Sequence, residues 1–157
     1  MAGYLLDAGV VSAIRNSGLR PADWVGSEDL AVPLVVVGEV FYDLQPTDTQ
    51  AIGNAAVLAH LPPPIPPTQE IVDRAGELRA KYAEHQPELA LNDSLIVATA
   101  LVHDRIVITK NRRDFHYEDG LTWIDAEGFR PEQGPLLASR APVEAGPGPR
   151  PCCSRIR

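Results

Sequence analysis

The apolar residues at the start of the chain follow two different spacings in turn. Residues 4–6 form a short apolar run that is typical of a strand. Val10, Val11 and Ile14 then recur at helical spacing until the polar and glycine residues at 16–18 break the pattern. The chain is therefore predicted to begin with a strand followed by a helix.

A β-branched run marks the next predicted strand. It follows a stretch containing Pro21 and Trp24, which we predict to be a loop. Residues 34–37 read Leu-Val-Val-Val, a composition typical of a strand buried on both faces. Because Gly38 and Glu39 follow directly, Glu39 is expected just beyond the end of this strand.

Prolines limit the structures that the segment after this predicted strand can adopt. Thr47 and Asp48 can cap a helix that is predicted to run to residue 59. The five prolines within residues 61–67 cannot lie inside a helix, and they predict a rigid extended connector with Ile65 touching the sheet. A docking site for a proline-binding partner is the alternative interpretation of this run.

Two helices are predicted after the connector. Thr68 can cap the first, which we expect to pack on the sheet. Its apolar stripe consists of Ile71, Val72, Ala75, Leu78 and Tyr82. The second helix begins at Asn92 and lacks a polar stripe through Val102, which predicts deep burial.

The last elements complete an alternation of strands and helices. Strands are predicted at residues 106–108 and 121–124, with a turn of helix at 111–115 between them. This order predicts an α/β domain with a mostly parallel sheet. We assign the domain to residues 1–130 and predict that residues 131–157, rich in Pro, Gly, Ala and Arg, form a disordered tail.

Composition narrows the class of protein. The chain has 157 residues, 45% of them hydrophobic and 22% charged, which suits one globular domain. Its two cysteines, Cys152 and Cys153, are neighbours in the predicted tail and cannot staple a core, which favours a reducing compartment. No apolar run approaches the roughly 20 residues of a spanning helix, and the first residues lack the features of a signal peptide. We therefore expect a cytoplasmic protein that does not enter a membrane.

The net charge of -7 argues against a protein that coats nucleic acid through a broad basic face. Any contact with nucleic acid is then expected to be local. An acidic excess also suits a carboxylate-lined cation site, where bound cations would let a phosphate approach. Solubility alone is the alternative explanation of the excess.

Four acids are predicted to meet at one edge of the sheet. Asp7, Glu39 and Asp114 each follow a predicted strand closely, and parallel strands share the edge at which they end. Asp93 opens the helix before the third of these strands, and such a helix begins at the same edge. Ligands of open α/β sheets bind there, so the sequence predicts a carboxylate site.

Clustered carboxylates repel one another and favour a bound cation. Mg²⁺ prefers oxygen ligands and Mn²⁺ suits the same donors, whereas the histidines lack the close paired spacing of a zinc site. Each acid also has an ordinary alternative when taken singly. Asp7 and Asp93 can serve as a helix cap and a dipole partner, while Glu39 and Asp114 can be solvated surface residues.

Three stretches of the sequence, at residues 4–12, 37–44 and 92–101 with its continuation through 108–115, resemble the PIN-domain family. The resemblance is to the VapC-like ribonuclease toxins of bacterial and archaeal toxin–antitoxin systems. It extends from about Tyr4 to Asp125 and leaves out the tail. It implies a three-layer α/β/α sandwich around a mostly parallel sheet.

The resemblance also implies roles for particular residues. The metal-binding acids of the family match Asp7, Glu39, Asp93 and Asp114. Supporting polar positions match Ser12, Thr109 and Asn111. Next to the predicted site, Lys110, Arg112 and Arg113 can hold flanking phosphates, or they can be ordinary solvated charges.

The function implied is that of a metal-dependent endoribonuclease, the toxin of a type II toxin–antitoxin system. It would use Mg²⁺ or Mn²⁺ to hydrolyse RNA, leaving a 5′-phosphate and a 3′-hydroxyl. A cognate antitoxin and a homodimer are the implied partners. The chain departs from the family at Ala8 and Gly9, where a threonine and an asparagine are usual. A catalytically weak scaffold that acts as a binding module is therefore one alternative, and a DNA-directed nuclease is another.

Overall fold

The structure is a computed structural model that describes residues 3–26, 29–43, 59–84, 89–115, 118, 120–128, 130–136 and 144–145. Its strands are β1 (Gly3–Leu6), β2 (Leu30–Pro33), β3 (Pro64–Ile65), β4 (Arg105–Thr109), β5 (Thr122–Asp125) and β6 (Glu144–Ala145). Its helices are α1 (Ala8–Ser17), α2 (Pro21–Val25), α3 (Leu34–Asp43), α4 (Gln69–Tyr82) and α5 (Leu91–Val102). Short 3-10 helices span Arg112–Asp114 and Pro131–Gln133.

The strands form one sheet in the order β3-β2-β1-β4-β5-β6. The first five are parallel, and β6 pairs with β5 in the antiparallel sense. The central strands β1 and β4 are buried along most of their length, which matches their continuous apolar runs. The predicted α/β fold with a mostly parallel sheet is confirmed.

The prediction of a strand at residues 34–37 is wrong. The strand is the preceding run, β2, and Leu34 opens the helix α3. Val36 and Val40 are fully buried while Leu34 is exposed, which is the burial period of a helix. A continuous apolar run does not by itself distinguish a buried strand from a buried helix, and here it spans both. Glu39 consequently lies within α3 instead of just after a strand.

The predicted loop around Trp24 contains a short helix, α2. Pro21 occupies its first position, where the missing N–H costs nothing. Gly26 ends it in the left-handed conformation, with its N–H donating to the carbonyl of Ala22 at 2.7 Å. The indole ring of Trp24 is thereby placed in the core.

The connector and the helices after it follow the prediction with two exceptions. Ile65 joins the sheet through β3, and Thr68 caps α4 by accepting the N–H of Ile71 at 3.3 Å. However, the most extensive contacts of α4 are with α5 and not with the sheet. Val72, which we placed in the apolar stripe, is 47% exposed.

Two stretches of the predicted disordered tail are placed against the domain. Leu136 is buried and its N–H donates to the carbonyl of Trp24 at 3.2 Å. Residues 144–145 form the edge strand β6. The rest of the predicted tail lies outside the described residues, as does the helix predicted from Thr47 to residue 59, except for its last residue. Within the described part of the chain, no helix is long and apolar enough to cross a membrane.

Candidate active site

The sheet has its topological switch point between β1 and β4. From the central strand β1 the chain moves to β2 and β3 on one side, and later to β4 and β5 on the other. Open parallel sheets bind ligands outside the carboxyl ends of the strands at such a point. Asp7 follows the last residue of β1, and Thr109 is the last residue of β4. These two residues therefore lie at the position where a ligand is expected.

The Asp7 carboxylate is buried and held on both oxygens. Oδ1 accepts the N–H of Ala8 at 2.7 Å, and Oδ2 accepts the hydroxyl of Thr109 at 2.8 Å. The Thr109 oxygen itself accepts the N–H of Asn111 at 2.9 Å, so its proton is directed to Asp7. Asp7 does cap α1, as its ordinary alternative requires, but the bond to Thr109 also fixes the carboxylate across the switch point. Carboxylate oxygens have two lone pairs each, which leaves acceptor capacity for a cation.

Glu39 contacts Asn92, the residue that precedes Asp93 in the chain. The Asn92 side-chain nitrogen donates to Oε1 of Glu39 at 2.7 Å and joins α3 to the first turn of α5. Asp93 is the next residue and is half-buried. Because α5 precedes β4 and runs opposite to it, this turn lies at the carboxyl edge of the sheet. Glu39, which lies in α3, is therefore held close to the start of α5, the helix that contains Asp93.

The remaining acid, Asp114, ends the 3-10 helix that follows β4. Its backbone is placed at the predicted edge, while its side chain is outside the description. Ser12 is half-buried in α1, one turn beyond Ala8. Asn111 contributes its backbone N–H to Thr109, as described above, and its side chain is exposed.

The three basic candidates flank the same edge. Lys110 is half-buried directly after β4, whereas Arg112 and Arg113 are exposed in the 3-10 helix. One Arg112 nitrogen lies 3.8 Å from a carboxylate oxygen of Asp125 at the end of β5. A local basic group therefore borders the acidic positions within an acidic protein.

The donor chemistry at this edge fits a hard divalent cation, since the candidates are carboxylates supported by hydroxyl and amide groups. Within the described residues, however, no three acidic, histidine or cysteine side chains are arranged to hold a metal ion. Among its contacts, the bond of Asp7 with Thr109 and that of Glu39 with Asn92 each join two elements of the fold at this edge. Convergence of all four acids on one ion stays a prediction.

Two polar residues in this part of the fold carry roles that the sequence did not indicate. Asn92 was expected only to open a helix, and Glu118 was not singled out. Glu118 is nevertheless buried and bound by three side chains of α4. An acid in a polar stretch gives no local signal that it will be buried, so only the tertiary contacts reveal it.

Gly9 leaves space beside the Asp7 carboxylate. A Cβ at this position would lie 3.7 Å from Cβ of Lys110 and 3.8 Å from Oδ2 of Asp7, which are ordinary van der Waals distances. The backbone therefore admits a side chain next to Asp7, although the chain has none there.

A mostly parallel sheet of this strand order, with helices around it and acids at its carboxyl edge, defines a PIN-type α/β/α domain. The family model described as PIN domain matches residues 4–118, and the chain belongs to this family. The resemblance drawn from the sequence, and the three-layer fold that it implied, are confirmed.

Solved toxin–antitoxin structures share the fold. DNA-bound VapBC from Salmonella typhimurium is 16% identical with a TM-score of 0.66, covering 80% of this chain and 98% of that chain. A toxin–antitoxin complex from Klebsiella pneumoniae is 27% identical with a TM-score of 0.55, covering 72% and 90%. VapBC-1 from nontypeable Haemophilus influenzae is 18% identical with a TM-score of 0.58, covering 78% and 96%. Comparison with curated proteins gave no match.

Proposed function

We propose that this protein is a metal-dependent endoribonuclease, the toxin of a type II toxin–antitoxin system. The observation that carries the proposal is the buried Asp7 carboxylate, held by Thr109 across the switch point of a PIN-type sheet. Burying a charged carboxylate is costly, and a cation bound at this position would offset part of that cost. Mg²⁺ or Mn²⁺ would be held by Asp7, Glu39, Asp93 and Asp114.

A bound Mg²⁺ would supply an activated water and neutralise charge on the scissile phosphate. The protein's own groups keep the ligands oriented. The Thr109 hydroxyl and the Ala8 N–H restrict rotation of the Asp7 carboxylate, and Asn92 restricts that of Glu39. Ligands fixed in advance lose less freedom when the ion and substrate bind.

Recognition of the RNA backbone would fall to Lys110, Arg112 and Arg113. Contacts to phosphates position a nucleic acid and carry no sequence information directly. Because the net charge is -7, approach of a phosphate would depend on a local basic group such as this one. Arg112 also lies 3.8 Å from a carboxylate oxygen of Asp125. To bind a phosphate, Arg112 would have to exchange this long contact for one with the phosphate.

The proposed protein partner is a cognate antitoxin, and the proposed assembly is a homodimer. Support for the antitoxin comes from the similar structures, which are named as VapBC or toxin–antitoxin complexes. A partner that inhibits the enzyme would cover the carboxyl edge of the sheet, with a cationic group facing the acids. We propose that the protein acts in the cytoplasm.

Cleavage of matched RNA and DNA oligonucleotides tests the proposed activity. We expect purified protein to cut the RNA in Mg²⁺, to leave a 5′-phosphate and a 3′-hydroxyl, and to stop when EDTA is added. Preferential cutting of the DNA would instead support the DNA-directed nuclease. Equal RNA cleavage with and without EDTA would contradict the metal-dependent mechanism.

A catalytically weak scaffold is the second candidate, and Ala8 and Gly9 are the feature that favours it. Because the backbone admits a side chain at Gly9, Gly9→Asn should restore a polar group beside Asp7 and tighten Mg²⁺ binding by about tenfold. Isothermal titration with Mg²⁺ measures this change. Gly76→Asn is the matched control, since Gly76 lies exposed in α4 with open space around it.

Each outcome of this titration bears on the choice between the two candidates. Tighter Mg²⁺ binding together with a gain of RNA cleavage from an inactive wild type would favour the scaffold. Unchanged Mg²⁺ affinity in Gly9→Asn would show that the missing side chain does not limit the site. The departure at Gly9 would then no longer support the scaffold.

A further inference from the structure

Glu118 is a buried acid that lies outside the candidate active site. Its relative exposure is 2%, the lowest of any acid among the described residues. Its carboxylate accepts hydrogen bonds from Arg74 at 3.3 Å, from Lys81 at 3.0 Å and from Tyr82 at 2.7 Å. All three donors belong to α4, so Glu118 joins the segment after β4 to this helix.

Glu118 depends on these contacts more than its partners in α4 do. The side chains of Arg74 and Lys81 are 41% and 52% exposed, so water can solvate both when the carboxylate is absent. Glu118 is buried and depends on the three donors for its solvation. A tyrosine hydroxyl is protonated at neutral pH and can donate, and burial, the largest cause, raises the pKa of Tyr82 further. The cluster is therefore built to hold Glu118 in place.

Glu118 stands in the segment that carries a candidate metal ligand. The 3-10 helix ends at Asp114 and is followed by Phe115, whose side chain is fully buried and whose N–H donates to the carbonyl of Arg112. Glu118 is three residues further on, and its own carbonyl accepts the N–H of Leu121 at 3.4 Å. Phe115, Glu118 and Leu121 thus anchor this segment at three points.

The helix that holds Glu118 also contacts the element that carries another candidate ligand. α4 packs most extensively on α5, and the first turn of α5 contains Asp93. The Glu118 contacts therefore link the backbone that carries Asp114 to the helix pair that carries Asp93. A shift of this segment away from α4 would change the separation of the two acids.

We infer that Glu118 is a positioning residue for the candidate metal site, one that fixes the Asp114 segment relative to Asp93 through α4. The inference rests on the proposed function, because it assumes that both acids bind a cation. It concerns metal affinity and does not require that RNA be the substrate.

Mg²⁺ titration of the purified full-length chain without RNA tests the inference. We expect Glu118→Gln to weaken Mg²⁺ binding by about tenfold, as is usual when the support of a metal ligand is lost. Tyr82→Phe removes only the shortest hydrogen bond and is the milder variant should Glu118→Gln unfold. Hydrogen exchange of the backbone amides at residues 111–121 should accelerate in both.

The matched control is Glu77→Gln, which removes the other carboxylate paired with Arg74 on the exposed side of α4. Its Mg²⁺ affinity and its exchange at residues 111–121 should equal those of the wild type. Faster exchange in Glu118→Gln with unchanged Mg²⁺ affinity would overturn the inference and leave Glu118 a structural residue. RNA cleavage does not enter this comparison, so an inactive wild type that binds Mg²⁺ would contradict the proposed function alone.

Discussion

Asp7→Asn is expected to reduce RNA hydrolysis by at least about 100-fold while the protein stays folded. Losing a group that merely supports a metal ligand costs about 10 to 100-fold, and loss of a ligand should exceed that range. Asparagine keeps an oxygen that can accept the Ala8 N–H and is as good a helix cap as aspartate. It lacks the negative charge, so it holds a hard divalent cation poorly.

The measurement is kcat/KM on a labelled RNA, with thermal unfolding as the check on folding. Asp104→Asn is the matched control because it makes the same charge change between α5 and β4, at the opposite edge of the sheet. Asp104 has a φ of 48°, a conformation that asparagine also tolerates. Asp7→Asn protein that retains more than about a third of wild-type activity would sink the proposed role of Asp7.

The RNA-cleaving activity of Thr109→Val should lie between that of Asp104→Asn, the control, and that of Asp7→Asn. It removes the hydroxyl that donates to Oδ2 of Asp7 and keeps the shape of the side chain. We expect a loss of about 10 to 100-fold in kcat/KM, together with a higher Mg²⁺ requirement. This intermediate result would separate orientation of the carboxylate from the carboxylate itself.

Mg²⁺ is expected to stabilise the fold strongly in the wild type. An ion that binds only the folded state adds about 2.7 kcal/mol to the free energy of unfolding at 100 times its Kd. For a chain of this size that corresponds to a rise of roughly 5 to 10 °C in Tm. The physical cause would be that the proposed site brings like-charged carboxylates together on folding, so that a bound ion relieves their repulsion.

Thermal unfolding with and without Mg²⁺ checks this expectation, and EDTA should reverse the shift. Asp93→Asn should lose most of the shift, because asparagine at this position cannot supply a charged ligand. Asp104→Asn should keep it in full. An equal rise in Tm for the wild type and Asp93→Asn would place the stabilising Mg²⁺ elsewhere on the protein.

The sequence alone was sufficient to predict the elements whose apolar spacing fits only one type of secondary structure. The run before Asp7 and the run before Lys110 are short and apolar, each is followed directly by a polar residue, and both are strands of the central sheet. Thr68 begins a helix with a clear apolar stripe, and that helix forms. In these places local preference and burial favour the same structure, so a local pattern was sufficient.

Two kinds of feature could be established only from the tertiary structure. The first is an element whose apolar pattern suits both a strand and a helix, and the second is a contact between residues that are distant in the chain. Residues 34–37 have a composition suited to a strand, yet they form a helix because packing of Val36 and Val40 in the core outweighs local preference. Thr109 contacts Asp7, which lies 102 positions earlier in the sequence, and Glu118 contacts residues of α4 that lie 36 or more positions earlier. Such contacts depend on how strands and helices pack together, and no local spacing of residues encodes that packing.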